Sequence, residues 1–166
     1  MFDLSLVYGF LKKSFSRRDI VIIAGLIFAY FVSRVFNLTQ LPIFNDEGIY
    51  IHWTKVAWHD AAWRFISLTD GKQPLQTWGT IPLLRVFPND ALFAGRMFSV
   101  LTGFFGLTGI SLLLNYLFNK RTAYIGALSY IAIPYFLFYD RMAMVDSGVN
   151  AFFIWILFFS GKGLWA

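Results

Sequence analysis

The sequence predicts an all-α polytopic membrane protein with about four transmembrane helices and membrane-lying helices in a long first outer loop. Three observations carry this. Hydrophobic residues make up 58% of the 166 residues, and the mean hydropathy of +0.61 is far from that of an ordinary soluble domain. The apolar residues gather in four runs, 20–36, 97–114, 122–139 and 149–160. Basic residues recur before the first run and between the second and third, as expected of a chain whose basic loops stay on one side.

Each run is judged against the roughly 20 apolar residues (range about 17–25) that span a bilayer as a helix. The first reaches that length as a span over 19–38, with Arg34 near its exit, where a long side chain can snorkel to the interface. Ahead of it residues 1–15 are mildly amphipathic, and Lys12, Lys13, Arg17 and Arg18 place the N-terminus in the cytoplasm. A cleavable signal peptide is not predicted, because the order of basic region, apolar core and small-residue site is missing. The second span is expected over 91–118 and the third over 122–139, with Asn119-Lys120-Arg121 as a cytoplasmic turn between them. The fourth is expected over 146–163 and runs into Lys162. The charge of +5 is then topological, and nucleic-acid binding is not expected. With no cysteine, disulfides and thiolate metal sites are excluded.

This topology puts an outer loop over 39–90 and a second outer turn around Asp140–Ser147. Every acidic residue except Asp3 and Asp19 then lies on the outer side. The long loop holds four of the six tryptophans, Trp53, Trp58, Trp63 and Trp78, which suits the headgroup level better than open water. Short membrane-lying helices are expected over 46–57, 61–68 and 74–86, the last with a kink at Pro82.

Three motifs carry chemistry. Asp46-Glu47 in Phe44-Asn45-Asp46-Glu47-Gly48-Ile49-Tyr50 pairs two carboxylates where the chain leaves the first span. Carboxylates at that depth are costly and point to function, and the bland alternative is an N-terminal helix cap. In Lys72-Gln73-Pro74-Leu75, proline suits a first helical position, so free N–H groups and a lysine would converge as a phosphate site; the alternative is a plain loop-to-helix junction. In the third, Arg141 and Asp146 are five apart, about 140° around a helix, and converge only through a turn. Its alternative is an interfacial Asp140–Arg141 pair. Arg96, entering the second span, is a further cation, with snorkelling as its default. His52 and His59 form no metal constellation, and no Walker loop, G-x-S-x-G or H-E-x-x-H is present.

Together, in this order, the three motifs resemble the N-terminal part of C-type glycosyltransferases. The resemblance is to the protein O-mannosyltransferase and aminoarabinose-transferase group, glycosyltransferase family 39 and its bacterial relatives. These show a D-E-x-x-Y signature, a K/H-P-P-L-like signature and a later R-x-x-x-x-D signature. Here they read Asp46-Glu47-Gly48-Ile49-Tyr50, Lys72-Gln73-Pro74-Leu75 and Arg141 to Asp146. Gln73 stands where a first proline is common, and Gly71 where some relatives carry an acid.

The resemblance implies transfer of a hexose-type sugar from a polyprenyl-phosphate carrier to a hydroxyl of a protein, lipid or glycan acceptor, with inversion. It implies an integral protein of a prokaryotic plasma membrane with the active-site loop outside. Asp46 would be the general base, Glu47 and Asp146 would complete a catalytic acidic pocket, and Lys72 with Arg141 or Arg96 would neutralise the leaving phosphate. No cofactor or metal is required, although two carboxylates leave room for a divalent cation. Relatives are several times longer, so an N-terminal fragment inactive alone is expected. The rival expectations are a non-catalytic membrane scaffold and a small transporter subunit.

Overall fold

The computed structural model describes residues 16–164, with side chains through Gly161. No strand occurs among them, and the fold is all-α. The helices are α1 (Arg17–Val35), α2 (Asn45–His59), α3 (Leu75–Val86), α4 (Ala91–Leu117), α5 (Lys120–Ala132), α6 (Pro134–Tyr139) and α7 (Asp146–Leu164). Two 3-10 turns, Ala61–Trp63 and Ile66–Asp70, lie between α2 and α3. Residues 1–15, with Lys12 and Lys13, and the Lys162 side chain fall outside the described part.

Helix α4 is the axis. The Asp90 carboxylate starts it by accepting from the N–H of Phe93 at 2.8 Å. Its 27 residues make it about 40 Å long. Among the described residues it alone is long and apolar enough to cross a membrane by length and composition, and the apolar stretch Asp146–Gly161 is shorter. Glycines let α7 lie close along it: Gly106 faces Ala151, and Gly109 faces Ile154 and Trp155. Trp155 stacks on Phe105 with centroids 4.8 Å apart and donates its N–H to the Phe105 carbonyl at 2.9 Å. Tyr30 of α1, Val100 and Leu107 of α4, Tyr130 of α5 and Ile154 of α7 meet in the core.

The third apolar run does not form the single span expected over 122–139. Ile133 precedes proline and is pushed to an extended ψ of 122°, and Pro134 then restarts the helix as α6. The loop helix expected over 61–68 is likewise replaced by the two 3-10 turns. Asp60 caps the first by accepting from the N–H of Ala62 at 2.9 Å, and Gly71, at φ 68°, ends the second.

The bundle has two polar ends. At one, Ser16 and Asp19 form a capping box, and Asp19 also binds Lys120 and the Tyr124 hydroxyl, each at 2.8 Å, which ties the starts of α1 and α5 together. At the other, the exit of α1, the starts of α2, α4 and α7, and the 140–145 turn converge. Much of the side wall is apolar and exposed: Ile20, Val21 and Phe28 of α1, Ile125 and Leu128 of α5, and Val149 and Phe153 of α7.

Candidate functional site

The candidate site is built on two buried ion pairs. Helix α2 starts where the chain turns back after α1, and Glu47 occupies its third position. There its Oε2 accepts from the N–H of Phe44 at 2.9 Å, the carboxylate half of a capping box. The same oxygen accepts from Arg96 Nη2 at 2.7 Å. Its Oε1 accepts from Arg96 Nε at 2.8 Å and from the N–H of Ala143 at 2.7 Å. The remaining Arg96 donors go to the carbonyls of Leu38 at 2.8 Å, Leu41 at 3.0 Å and Pro42 at 3.2 Å. Five donors and four acceptor positions are all used. Burial opposes ionisation of Glu47, but the guanidinium and the two backbone N–H groups outweigh it and hold its carboxyl below the ordinary value.

This corrects two expectations. Arg96 does not snorkel; it is fully buried. Neither it nor Glu47 has a free polar atom to offer a ligand, so the roles expected of them, phosphate binding and catalytic acid–base work, do not fit their geometry. They hold the frame.

The second pair is Arg34 with Asp140, at 3.4 Å and also fully buried, so Arg34 does not snorkel either. The helix break explains the position. Pro134 has no N–H to give the Tyr130 carbonyl, and the break frees that of Ile131 too. Arg34 donates to both, at 3.2 Å and 2.8 Å. Around Asp140 stand the hydroxyls of Tyr30 at 3.3 Å, Tyr130 at 3.4 Å and Ser147 at 3.1 Å. The Asp140–Arg141 pair weighed as the alternative reading of the third motif does not form.

Arg141 is half-buried and caps α1 instead. Its guanidinium donates to the carbonyls of Ser33 at 2.9 Å, Phe36 at 3.0 Å and Asn37 at 3.0 Å. Asn37 has φ 51°, a left-handed turn that brings its carbonyl into reach. Burial, and then the charges of Arg96 and Arg34, pull the Arg141 guanidinium below its ordinary value. Arg141 also lines a groove with Gln40, Pro134 and Phe138.

Asp46 differs from its neighbour. It is exposed, in the first turn of α2, with no hydrogen bond or ion pair among the described residues. Asp146, half-buried in the first turn of α7, is equally free. Both gain from the positive ends of their helices. Tyr50, one turn after Asp46, is buried; burial raises its phenol, and the charges of Asp146, Asp46 and Asp70 raise it further. Three carboxylates from three parts of the chain thus act through their charge on one phenol. Among the described residues no three His, Asp or Glu side chains gather as a metal set.

Lys72 is exposed beyond Gly71, and its own N–H is fixed to the Ser67 carbonyl at 3.0 Å. Pro74 caps α3 instead of opening it, so the helix starts one residue later than expected, and the first turn-closing bond runs from the N–H of Trp78 to the Pro74 carbonyl at 2.8 Å. The N–H groups of Leu75, Gln76 and Thr77 precede that bond and have no helical acceptor. The hydroxyls of Ser67 and Thr77 are buried nearby in sequence without a partner. A groove of about 350 Å³ opens at Gln73 and runs between the start of α3 and Val145, Val149, Phe152, Phe153 and Ile156. Its wall is almost wholly apolar.

The fold therefore joins the acidic pair to the Arg141–Asp146 turn through the Ala143 N–H, and lets the charges of Asp46, Asp70 and Asp146 reach Tyr50. Lys72 stands two residues from Asp70, whereas Arg141 is committed to backbone and Arg96 to Glu47 and backbone. In the sequence Tyr50 had no role beyond its place in the motif and Asp140 only an alternative pairing with Arg141, and the partnership of Arg34 was missed. A charge inside an apolar run demands a partner, and Asp140 at the end of another run was the available one. Comparison with protein-family models, with curated proteins and with solved structures returned no match.

Proposed function

We propose that this chain carries the catalytic outer end of a membrane glycosyltransferase, which moves a hexose-type sugar from a polyprenyl-phosphate carrier to an acceptor hydroxyl. The observation that carries this reading is the contrast within the acidic pair. Glu47 is saturated, while Asp46, on the same turn, makes no hydrogen bond or ion pair among the described residues, and its charge acts with those of Asp146 and Asp70 on the Tyr50 phenol. A rigid mount for an unpartnered base is what proton abstraction needs.

The proposed step balances simply. Asp46 takes the acceptor hydroxyl proton as its oxygen attacks the sugar C1. The C1–O bond to phosphate breaks, and polyprenyl phosphate departs with the bonding pair. Lys72 and the N–H groups opening α3 meet the charge that develops on that phosphate. The apolar groove starting at Gln73 receives the first isoprene units. The exposed apolar faces of α1, α5 and α7 support membrane burial, and the reading takes the bundle as polytopic with the site end outside.

Donor binding tests this apart from turnover. The 166-residue protein in proteoliposomes should bind a labelled polyprenyl-phosphate hexose, and Lys72→Gln should weaken binding roughly tenfold. Where transfer is measured, Asp46→Asn should remove it and leave binding intact. Absence of donor binding by the wild-type chain, or normal transfer by Asp46→Asn, would overturn the proposal.

A further inference from the structure

On the loop helices, a separate recess of about 270 Å³ is lined by Ala57, Trp58, Arg64, Trp78, Ile81 and Arg85. It shares no residue with the groove that Gln73 lines. Arg64 and Arg85 are exposed, and neither guanidinium has a hydrogen bond or ion pair among the described residues. The recess is nevertheless held in shape. Trp78 donates its indole N–H to the Arg64 carbonyl at 2.6 Å and packs edge-on against Phe65 with centroids 4.9 Å apart. Trp58 stacks on His59 at 4.7 Å. Apolar side chains flank both arginines in sequence: Trp63 and Phe65 beside Arg64, and Val86 and Phe87 after Arg85, all exposed.

We propose that this recess binds the phosphate of an anionic phospholipid and so docks α2 and α3 onto the membrane surface. Two planar guanidinium groups over one recess match phosphate oxygens, which a pair of surface lysines would meet only as point charges. Indoles favour the level where headgroup meets hydrocarbon, with the ring buried and the N–H satisfied. The exposed Trp63, Phe65, Val86 and Phe87 would enter the acyl region beside a lipid, whereas a free anion leaves them in water. An uncharged sugar would use the indole faces and leave both guanidinium groups without an anion. The inference requires only that these helices lie at headgroup level, and it is independent of sugar transfer.

The test is lipid retention by native mass spectrometry of the delipidated full chain in neutral detergent, titrated with phosphatidylglycerol, phosphatidylcholine or inorganic phosphate. Phosphatidylglycerol should bind roughly tenfold more tightly than phosphatidylcholine, and R64Q/R85Q should erase that preference. R64K/R85K should keep part of it, and K55Q, an exposed lysine elsewhere on α2, should keep all of it. Circular dichroism checks that the variants keep their helix content; if R64Q/R85Q loses it, the conservative pair decides by its reduced preference. Unchanged preference in both double variants overturns the proposal. So does inorganic phosphate that binds as tightly as phosphatidylglycerol, which would assign the recess to a soluble anion.

Discussion

Glu47 and Arg96, separated by 49 positions in sequence, meet as a two-point ion pair at 2.7 and 2.8 Å with no solvent exposure on either side. The pair fastens the start of α2 to α4, and through the Ala143 N–H it also fastens the turn before α7. Removing one partner strands a buried charge, which costs about 3–5 kcal/mol, whereas replacing both with apolar side chains costs far less. Glu47→Ala should therefore lower thermal stability in detergent more than Glu47→Leu combined with Arg96→Met. A double variant as unstable as the sum of its parts would show that the two do not act as a unit.

The same pair gives a pH dependence. The folded-state pKa of Glu47 is depressed, so its contribution is complete above the ordinary glutamate value of 4.5 and is lost as pH falls through the folded value. The stability gap between wild type and Glu47→Gln should be full near about pH 7 and narrow on acidification below about pH 4. Melting curves across that range check it. A gap that widens with acid would reverse the sign of the argument.

Asp46, one residue earlier, should behave in the opposite way. It is exposed and makes no bond, so Asp46→Asn gives up only its interaction with the helix end, about 0.3–1 kcal/mol. The two adjacent carboxylates are thus separable by stability alone. A large loss on Asp46→Asn would mean that the residue belongs to the frame and would remove it as a candidate base.

What the sequence made legible follows from what its signals encode. Apolar runs and capping residues report local structure, so α1, α2, α4 and α7 lie close to their expected positions. Pro134 lies inside the third apolar run, and one span was expected where two helices form. The acidic pair stood out by its setting, yet nothing local distinguishes Asp46 from Glu47. That difference arises from Arg96 and Ala143, both remote in sequence. Arg34 and Arg96 were misread for the same reason. A long cation near a helix end is expected to reach water unless a distant carboxylate claims it, and here Asp140 and Glu47 do so.

Arg34 illustrates a second dependence on geometry. It answers one carboxylate and two carbonyls freed by Pro134, a set that a planar fork of donors can reach and a single ammonium cannot. Arg34→Met should cost about 3–5 kcal/mol by leaving Asp140 buried alone. Arg34→Lys keeps the charge and should recover less than half of that loss in chemical unfolding. Full recovery by lysine would show that charge alone, without the carbonyl contacts, secures the break between α5 and α6.

Gly103 leaves α4 without a side chain where it passes this network. A Cβ there would overlap the Asp140 carboxylate and the Tyr30 hydroxyl, which are held by Arg34, Ser147 and the Val100 carbonyl and so have little room to withdraw. Overpacking of this kind costs about 1–3 kcal/mol, against which the better helix propensity of alanine returns at most about 1 kcal/mol. Gly25 of α1 provides the contrast, since nothing lies within 4 Å of its added Cβ. Gly103→Ala should therefore destabilise the protein while Gly25→Ala leaves it unchanged or slightly more stable, as read by unfolding in one detergent. If the two variants unfold alike, Tyr30 and Asp140 have room to move aside, and the polar network at this end of the bundle is looser than its hydrogen bonds imply.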